Sequence, residues 1–189
     1  MLTPGVDSAF VQDLIKAFKE ASWETFTTKF AMAIETYLTS ATVVTAVTGV
    51  AAGPSGPYPV SGAGEGTVIP TGSTPFAQSI LGATKATEWA VFSDTVSTAI
   101  GLFINTSLIA TEVSDGCSGA GTGTIVADPG LSAFSSQLSI QIEASANYNE
   151  LSISIKDLVK TLLGTCVVTT SASGPAPHPW TGAGTGGLQ

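Results

Sequence analysis

The most regular feature of the chain is an apolar stripe that occurs three times. Trp23, Phe26, Phe30, Ala33/Ile34 and Tyr37/Leu38 follow one another at alternating steps of three and four. That is the spacing of one face of a helix packed on another helix, and it predicts a helix near 23–41. Sliding the chain along itself by 66 residues sets Trp89 on Trp23, Phe92 on Phe26, Val96 on Phe30 and Phe103-Ile104 on Tyr37-Leu38. A further shift of 59 brings Tyr148, Leu151, Ile155, Leu158-Val159 and Leu162-Leu163 into the same register. Helices near 88–106 and 148–163 follow. Upstream of each lies an F-x-x-x-[LI] pair, Phe10/Leu14, Phe76/Ile80 and Phe134/Leu138, predicting shorter helices near 8–21, 75–84 and 131–145. Asp7 is the expected N-cap of the first and Thr74, with Pro75 at the first helical position, that of the second. Asp128-Pro129-Gly130 is expected to stop the loop before the third.

After each helical pair comes a β-branched run: "TVVTAVTG" at 42–49, "SLIATEVS" at 107–114 and "TCVVTTS" at 165–171. Val, Ile and Thr suit a pleated surface, so these are strands or extended segments along the helices. Then comes a glycine phrase: "SGAGEGTVI" at 61–69, "SGAGTGTIV" at 118–126 and "TGAGTGGLQ" at 181–189. Prolines precede the first and third copies, and proline removes donors from a ladder. The phrases therefore read as Gly/Pro-rich loops.

The fold expected is mainly α with short β segments (α+β), built of three tandem helix-helix-strand units. Their bounds are 1–73, 74–130 and 131–189, sharing one compact domain. One unit of about 60 residues buries too little surface alone, so the three share a core. A quasi-threefold arrangement and a short stack both fit. The repeat core is Trp23, Phe26, Phe30, Tyr37, Trp89, Phe92, Phe103, Tyr148, Leu151, Ile155 and Leu162. Tyr58, Pro59, Trp180, Gly182, Gly184 and Gly186 are read as assembly contacts on extended arms. On this reading residues 172–189 can be removed with the helical pairs intact.

Composition narrows the function. The chain has 189 residues, 43% hydrophobic and 11% charged, with net charge −8. Low charge with high apolar content is the reverse of a disordered chain and favours association. Six lysines and no arginine, scattered among more numerous acids, argue against direct nucleic-acid binding. The first ten residues lack a secretory signal pattern, and no run approaches the ~18 apolar residues of a membrane span. A cytoplasmic origin is expected, with Cys117 and Cys166 as reduced, buried thiols.

Chemistry-bearing motifs are few. Gly182, Gly184 and Gly187 match G-x-G-x-x-G, but only Leu188 and Gln189 follow, leaving no helix for a pyrophosphate. His178 is the one histidine, flanked by prolines, and nothing orients a triad with Ser173 or Cys166. One His and two distant Cys form no metal cluster. Asn105-Thr106-Ser107 is a formal sequon best read as a helix end. No catalytic, cofactor or metal residue is expected.

The stripes, the Thr/Val runs and the phrases S/T-G-A-G-x-G together resemble a loosely defined group of tailed-bacteriophage virion structural proteins. The resemblance covers Trp23 to Leu38 with "SGAGEG", Trp89 to Ile104 with "SGAGTG" and Tyr148 to Leu163 with "TGAGTGG". It implies a virion location and a role in particle assembly, in capsid, neck, tail or baseplate. The partners would be the chain itself and other particle proteins, in a symmetric oligomer, with strand edges pairing between chains. Two other readings are a repeat-based adhesion or ligand-binding module, and a hydrolytic enzyme working with carboxylates or Ser/Thr alone.

Overall fold

The computed structural model describes residues 4–53, 57–114, 118–174 and 179–189. Its elements, in chain order, are α1 (Pro4–Phe18), α2 (Trp23–Thr39), β1 (Thr42–Ala51), β2 (Tyr58–Ile69), α3 (Ser73–Ala83), α4 (Trp89–Asn105), β3 (Leu108–Ser114), β4 (Gly119–Val126), α5 (Asp128–Ala144), α6 (Tyr148–Thr165), β5 (Val167–Gly174) and β6 (Trp180–Leu188). Each third of the chain thus runs helix, helix, strand, strand.

The expected helix-helix-strand unit with a terminal loop is wrong. The glycine phrases are strands β2, β4 and β6, and all six strands close into one antiparallel barrel in chain order, with β6 returning to β1. Among the described residues no strand is left as a sheet edge along its whole length. Residues 172–189 hold the end of β5 and all of β6, so they are a wall of the barrel and no removable arm.

Register explains the glycines. Residues directly opposite in an antiparallel pair share a face. Val43, Thr45 and Val47 of β1 are buried and face inward, and opposite them stand Gly66, Gly64 and Gly62 of β2. The same pairing sets Ile109, Thr111 and Val113 of β3 against Gly123, Gly121 and Gly119 of β4. Val168, Thr170 and Ala172 of β5 face Gly186, Gly184 and Gly182 of β6. A barrel of about eight strands is just wide enough for side chains from every strand. Six strands make a narrower tube: β1 comes within 8 Å, Cα to Cα, of both β3 and β5, its second neighbours. In a flat sheet second neighbours stand about 9.5 Å apart. In the central layers β1, β3 and β5 therefore fill the lumen with side chains opposite glycines of β2, β4 and β6, and only at the floor do Val68, Ile125 and Leu188 of the glycine strands join in.

A side chain at these glycines has nowhere to go. A Cβ on Gly64, Gly121 or Gly184 would sit 2.4, 2.7 or 2.6 Å from the hydroxyl of Thr45, Thr111 or Thr170. One on Gly66, Gly123 or Gly186 would strike the backbone carbonyl of Ala110, Thr169 or Val44 at 2.0, 2.2 or 1.9 Å. Pro59 is tolerated because residues 58–62 of β2 overhang β3 and pair only with β1.

The helices form a second closed ring. Each packs on the next, and α6 packs on α1. The long helices α2, α4 and α6 lead directly into β1, β3 and β5, so the ring stands on one mouth of the barrel. One apolar cluster runs from the helices into the barrel, where Val43, Val68, Ile109, Ile125, Val168 and Leu188 form its floor. Inside the ring, Phe10 stacks on Tyr37 at 4.2 Å and Phe76 on Phe103 at 4.6 Å, between short and long helices. Phe30, Ile155 and Leu162 are buried as expected of core residues.

Helix ends differ from expectation in ways that matter locally. Asp7 lies inside the first turn of α1 rather than capping it. α3 begins at Ser73 behind Gly72, whose φ of +91° suits glycine, so neither Thr74 nor Pro75 opens the helix as expected. α5 already begins at Asp128, with Pro129 in its first turn where the missing N–H has no partner to lose. Asn105 closes α4 and ties it to α5, accepting from Ala127 N at 2.8 Å and donating to Asp128 Oδ1 at 3.0 Å.

Neighbouring glycines in β6 test the lumen argument. Gly186→Ala drives a methyl into the Val44 carbonyl, and overpacking of this kind costs about 1–3 kcal/mol or more. Gly187→Ala meets only the Cys166 carbonyl, at 3.6 Å, and should be neutral or slightly stabilising. Urea titrations of both variants measure the difference. Equal effects would refute a lumen too narrow for a side chain at Gly186.

Candidate functional site

At the end of the helical ring away from the barrel, the three helix–helix turns surround an apolar cup of about 690 Å³. Its walls are threefold sets: Trp23, Trp89 and Tyr148; Phe26, Phe92 and Leu151; Phe18, Thr84 and Ile142. Trp23, Trp89 and Tyr148 each occupy the first position of a long helix. Side chains there lean toward the N-terminus, which stands the three rings up around the opening.

Local bonds hold the rim. Ser22 caps α2 by accepting from Thr25 N at 3.1 Å. Asn147 caps α6 by accepting from Asn149 N and Glu150 N, both at 3.0 Å. The Glu150 carboxylate returns to Ala146 N at 2.9 Å, completing a reciprocal cap. Glu20 pairs with Lys29. Trp23 meets Phe26 edge-on at 5.7 Å, Trp89 meets Phe92 edge-on at 5.9 Å, and Tyr148 stacks on Phe18 at 5.8 Å. Even so, Trp23, Trp89 and Tyr148 remain 59, 50 and 52% exposed. Exposed aromatics gathered on one axis are an unusual use of surface. The sequence assigned these three to the repeat core; the structure puts them at its open end.

The expected arm residues fall elsewhere. Trp180 is buried, 4% exposed, and seals the far mouth of the barrel with Val47, Ala51, Val113 and Ala172. Its indole N–H donates to the Ser118 carbonyl at 2.9 Å. Gly182, Gly184 and Gly186 face the lumen from β6, so the G-x-G-x-x-G match has its amides in a strand ladder and no access to a phosphate. Tyr58 and Pro59 are exposed at the start of β2. Cys117 and His178 lie outside the described residues.

Reactive groups are sparse. Burial pushes the Cys166 thiol up to about 12, and it donates to the Leu162 carbonyl, which leaves it without thiolate character near neutral pH. Among the described residues no three His, Cys, Asp or Glu side chains gather to hold a metal ion, and no helix is long and apolar enough to cross a membrane.

One polar cluster breaks the threefold pattern. The buried Tyr37 hydroxyl of α2 donates to Asp7 Oδ1 of α1 at 2.8 Å, and Lys160 Nζ of α6 donates to Asp7 Oδ2 at 2.7 Å. The corresponding side chains in the other units are Phe103 and Leu162 for Tyr37. Burial raises the tyrosine, helped by Asp7, and keeps its proton in place. Burial alone would raise Asp7 as well, but the bonds from Lys160 and Tyr37 outweigh it and hold the carboxyl below its ordinary 3.8.

No family model matches the chain, and no curated protein or solved structure is similar to it. What the molecule offers is therefore its geometry: a sealed barrel, a closed ring and an aromatic cup.

The cluster around Asp7 gives a pH prediction. A carboxyl with a lowered folded-state value contributes stability above its unfolded value and loses it as pH falls through the folded one. Thermal melts from pH 6 down to pH 2 should show that stability draining away below about pH 4. Asp7→Asn should melt lower at pH 6 and close the gap with the parent as pH falls. A gap of constant size would show that Asp7 carries no pH-linked stability.

Proposed function

We propose that the chain is a structural component of a symmetric, phage-like particle that acts through protein–protein contacts, with the aromatic cup as its docking surface. One observation carries this reading: all three repeats place an exposed ring at one mouth on the pseudo-threefold axis. Tryptophan and tyrosine offer large contact area at little entropic cost, and they dominate the binding energy of interfaces. The barrel and helical ring then serve as a stiff mount. A partner presenting an apolar projection, or a threefold feature of a particle, fits such a cup. This replaces extended arms with a preformed concavity as the means of assembly.

A second reading rests on the size of the cup. A volume near 690 Å³ falls within the ~300–1,000 Å³ typical of small-molecule sites. The chain would then be a ligand-binding or adhesion module whose aromatic walls stack on a flat or apolar ligand.

The triple variant Trp23→Ser/Trp89→Ser/Tyr148→Ser separates the two and tests the first. The three rings are half exposed, so the variant should stay folded, with a melting temperature within a few degrees of the parent. On the assembly reading, native mass analysis at rising concentration, alone and with particle proteins, shows association by the parent and none by the variant. A parent that stays monomeric and joins no particle would overturn that reading. Quenching of the parent's exposed tryptophan fluorescence by a small ligand would then favour the second.

A further inference from the structure

The lumen contains a polar layer that the apolar layers around it do not explain. Thr45, Thr111 and Thr170 occupy the same position in β1, β3 and β5, each 3 or 4% exposed. Toward the helices the matching residues are Val43, Ile109 and Val168; toward the far mouth they are Val47, Val113 and Ala172. Both flanking layers vary among the repeats, and the threonine does not. The layer also divides the interior, with the large apolar cluster on one side and the cluster around Trp180 on the other.

These hydroxyls are not satisfied by the protein. Among the described residues Thr111 and Thr170 have no hydrogen-bond partner, and Thr45 reaches the Gly64 carbonyl at a long 3.4 Å. In the helices Thr27 donates to the Glu24 carbonyl one turn back at 3.1 Å, while its repeat counterparts Ser93 and Ser152 are buried without a partner among the described residues. Within a strand the side chain stands away from its own backbone, so a hydroxyl finds no carbonyl one turn back. Valine has the same shape as threonine without the hydroxyl, so an unpartnered threonine is the costlier choice at this position.

We propose that Thr45, Thr111 and Thr170 form one internal binding site on the pseudo-threefold axis, and that its ligand is a single water molecule. β1 comes within 8 Å of both β3 and β5, so the three inward-facing threonines line one narrow lumen at one repeat position. The glycines Gly64, Gly121 and Gly184 beside them carry no side chain to cover the hydroxyls. Three hydroxyls match the roughly three hydrogen bonds of a typical buried water, and each can donate or accept as required. The ligand is neutral because apolar layers lie on both sides and no charged side chain of the described strands faces the lumen. A bare ion in such surroundings would lack compensation for its lost hydration.

The test uses the full chain with its threonine methyl groups isotopically labelled. Water–protein cross-relaxation should reach the γ-methyls of Thr45, Thr111 and Thr170, with the sign that marks a long-lived water. Thr111→Val should weaken those cross-peaks and lower the melting temperature by about 2–4 °C, the shift expected from losing one hydrogen bond in a chain of this size. The absence of water cross-peaks at these methyls in the parent, or a higher melting temperature for Thr111→Val, overturns the proposal. Methyl shifts that saturate on titration with sodium, potassium or chloride overturn it in favour of an ion.

Discussion

The width of the six-stranded lumen governs the rest of this molecule. Closing a sheet with so few strands brings β1 within 8 Å of its second neighbours β3 and β5, and in the central layers only half the strands carry inward side chains. The chain meets that limit by division of labour. β1, β3 and β5 contribute Val, Ile, Thr or Ala, and β2, β4 and β6 contribute glycine. A side chain on the glycine strands would meet either the threonine hydroxyl beside it or the carbonyl of the next strand. The alternation of filled and empty strands recurs in each of the three hairpins, so the barrel carries the threefold order of the repeats.

Threefold order in the barrel is passed upward by direct connection. Each long helix leads within two or three residues into a filled strand, so the helices inherit the strand positions. Six helices set around one axis cover their apolar faces against each other and against the floor made by Val43, Val68, Ile109, Ile125, Val168 and Leu188. At the floor the geometry is tight and the burial complete. At the free end the helices have no sheet beneath them, and the turns leave a central opening lined by aromatics. The cup is thus the unfilled end of the same core, and its mouth is as regular as the barrel that sets it.

The helical stripes were legible in the sequence because apolar spacing of three and four is a direct signal, and their register across repeats could be read residue by residue. The glycine strands were not. A half-buried strand announces itself by alternating apolar and polar residues, and in "SGAGEG" the inward positions are glycine, so the apolar half of the signal is absent. Prolines at 57 and 59 reinforced the loop reading, although Pro59 sits where β2 overhangs its neighbour and owes it no hydrogen bond. Trp180 was misplaced for the same reason, since a tryptophan after prolines and before glycines looks like an anchor on an arm. The cup was hidden differently. Trp23, Trp89 and Tyr148 belong to the stripe by spacing, but they stand at its first position, beyond the last layer of neighbours. Only the length of the ring relative to the stripe, which is a tertiary quantity, exposes them.

A closed ring made from an open chain has one seam with no peptide bond across it, and here the seam is treated unlike the others. Between units the chain itself joins β2 to α3 and β4 to α5, so those contacts are kept at high local concentration by connectivity. Between α6 and α1, and between β6 and β1, only non-covalent contacts hold. There the strand ladder closes as at the other two interfaces, with Thr42 and Gln189 bonded at 2.9 Å each way where Leu108 pairs with Ile69 and Val167 with Val126. The helices add Asp7, Tyr37 and Lys160, a linked polar set in which Tyr37 stands where the other units have Phe103 and Leu162. A polar set of this kind is satisfied in one alignment only, whereas Phe on Phe tolerates sliding. Apolar burial supplies the drive to close at every interface, and at the seam the polar set selects which closure forms. The departure from threefold symmetry is therefore where a symmetric repeat must depart, at the one interface that connectivity does not define.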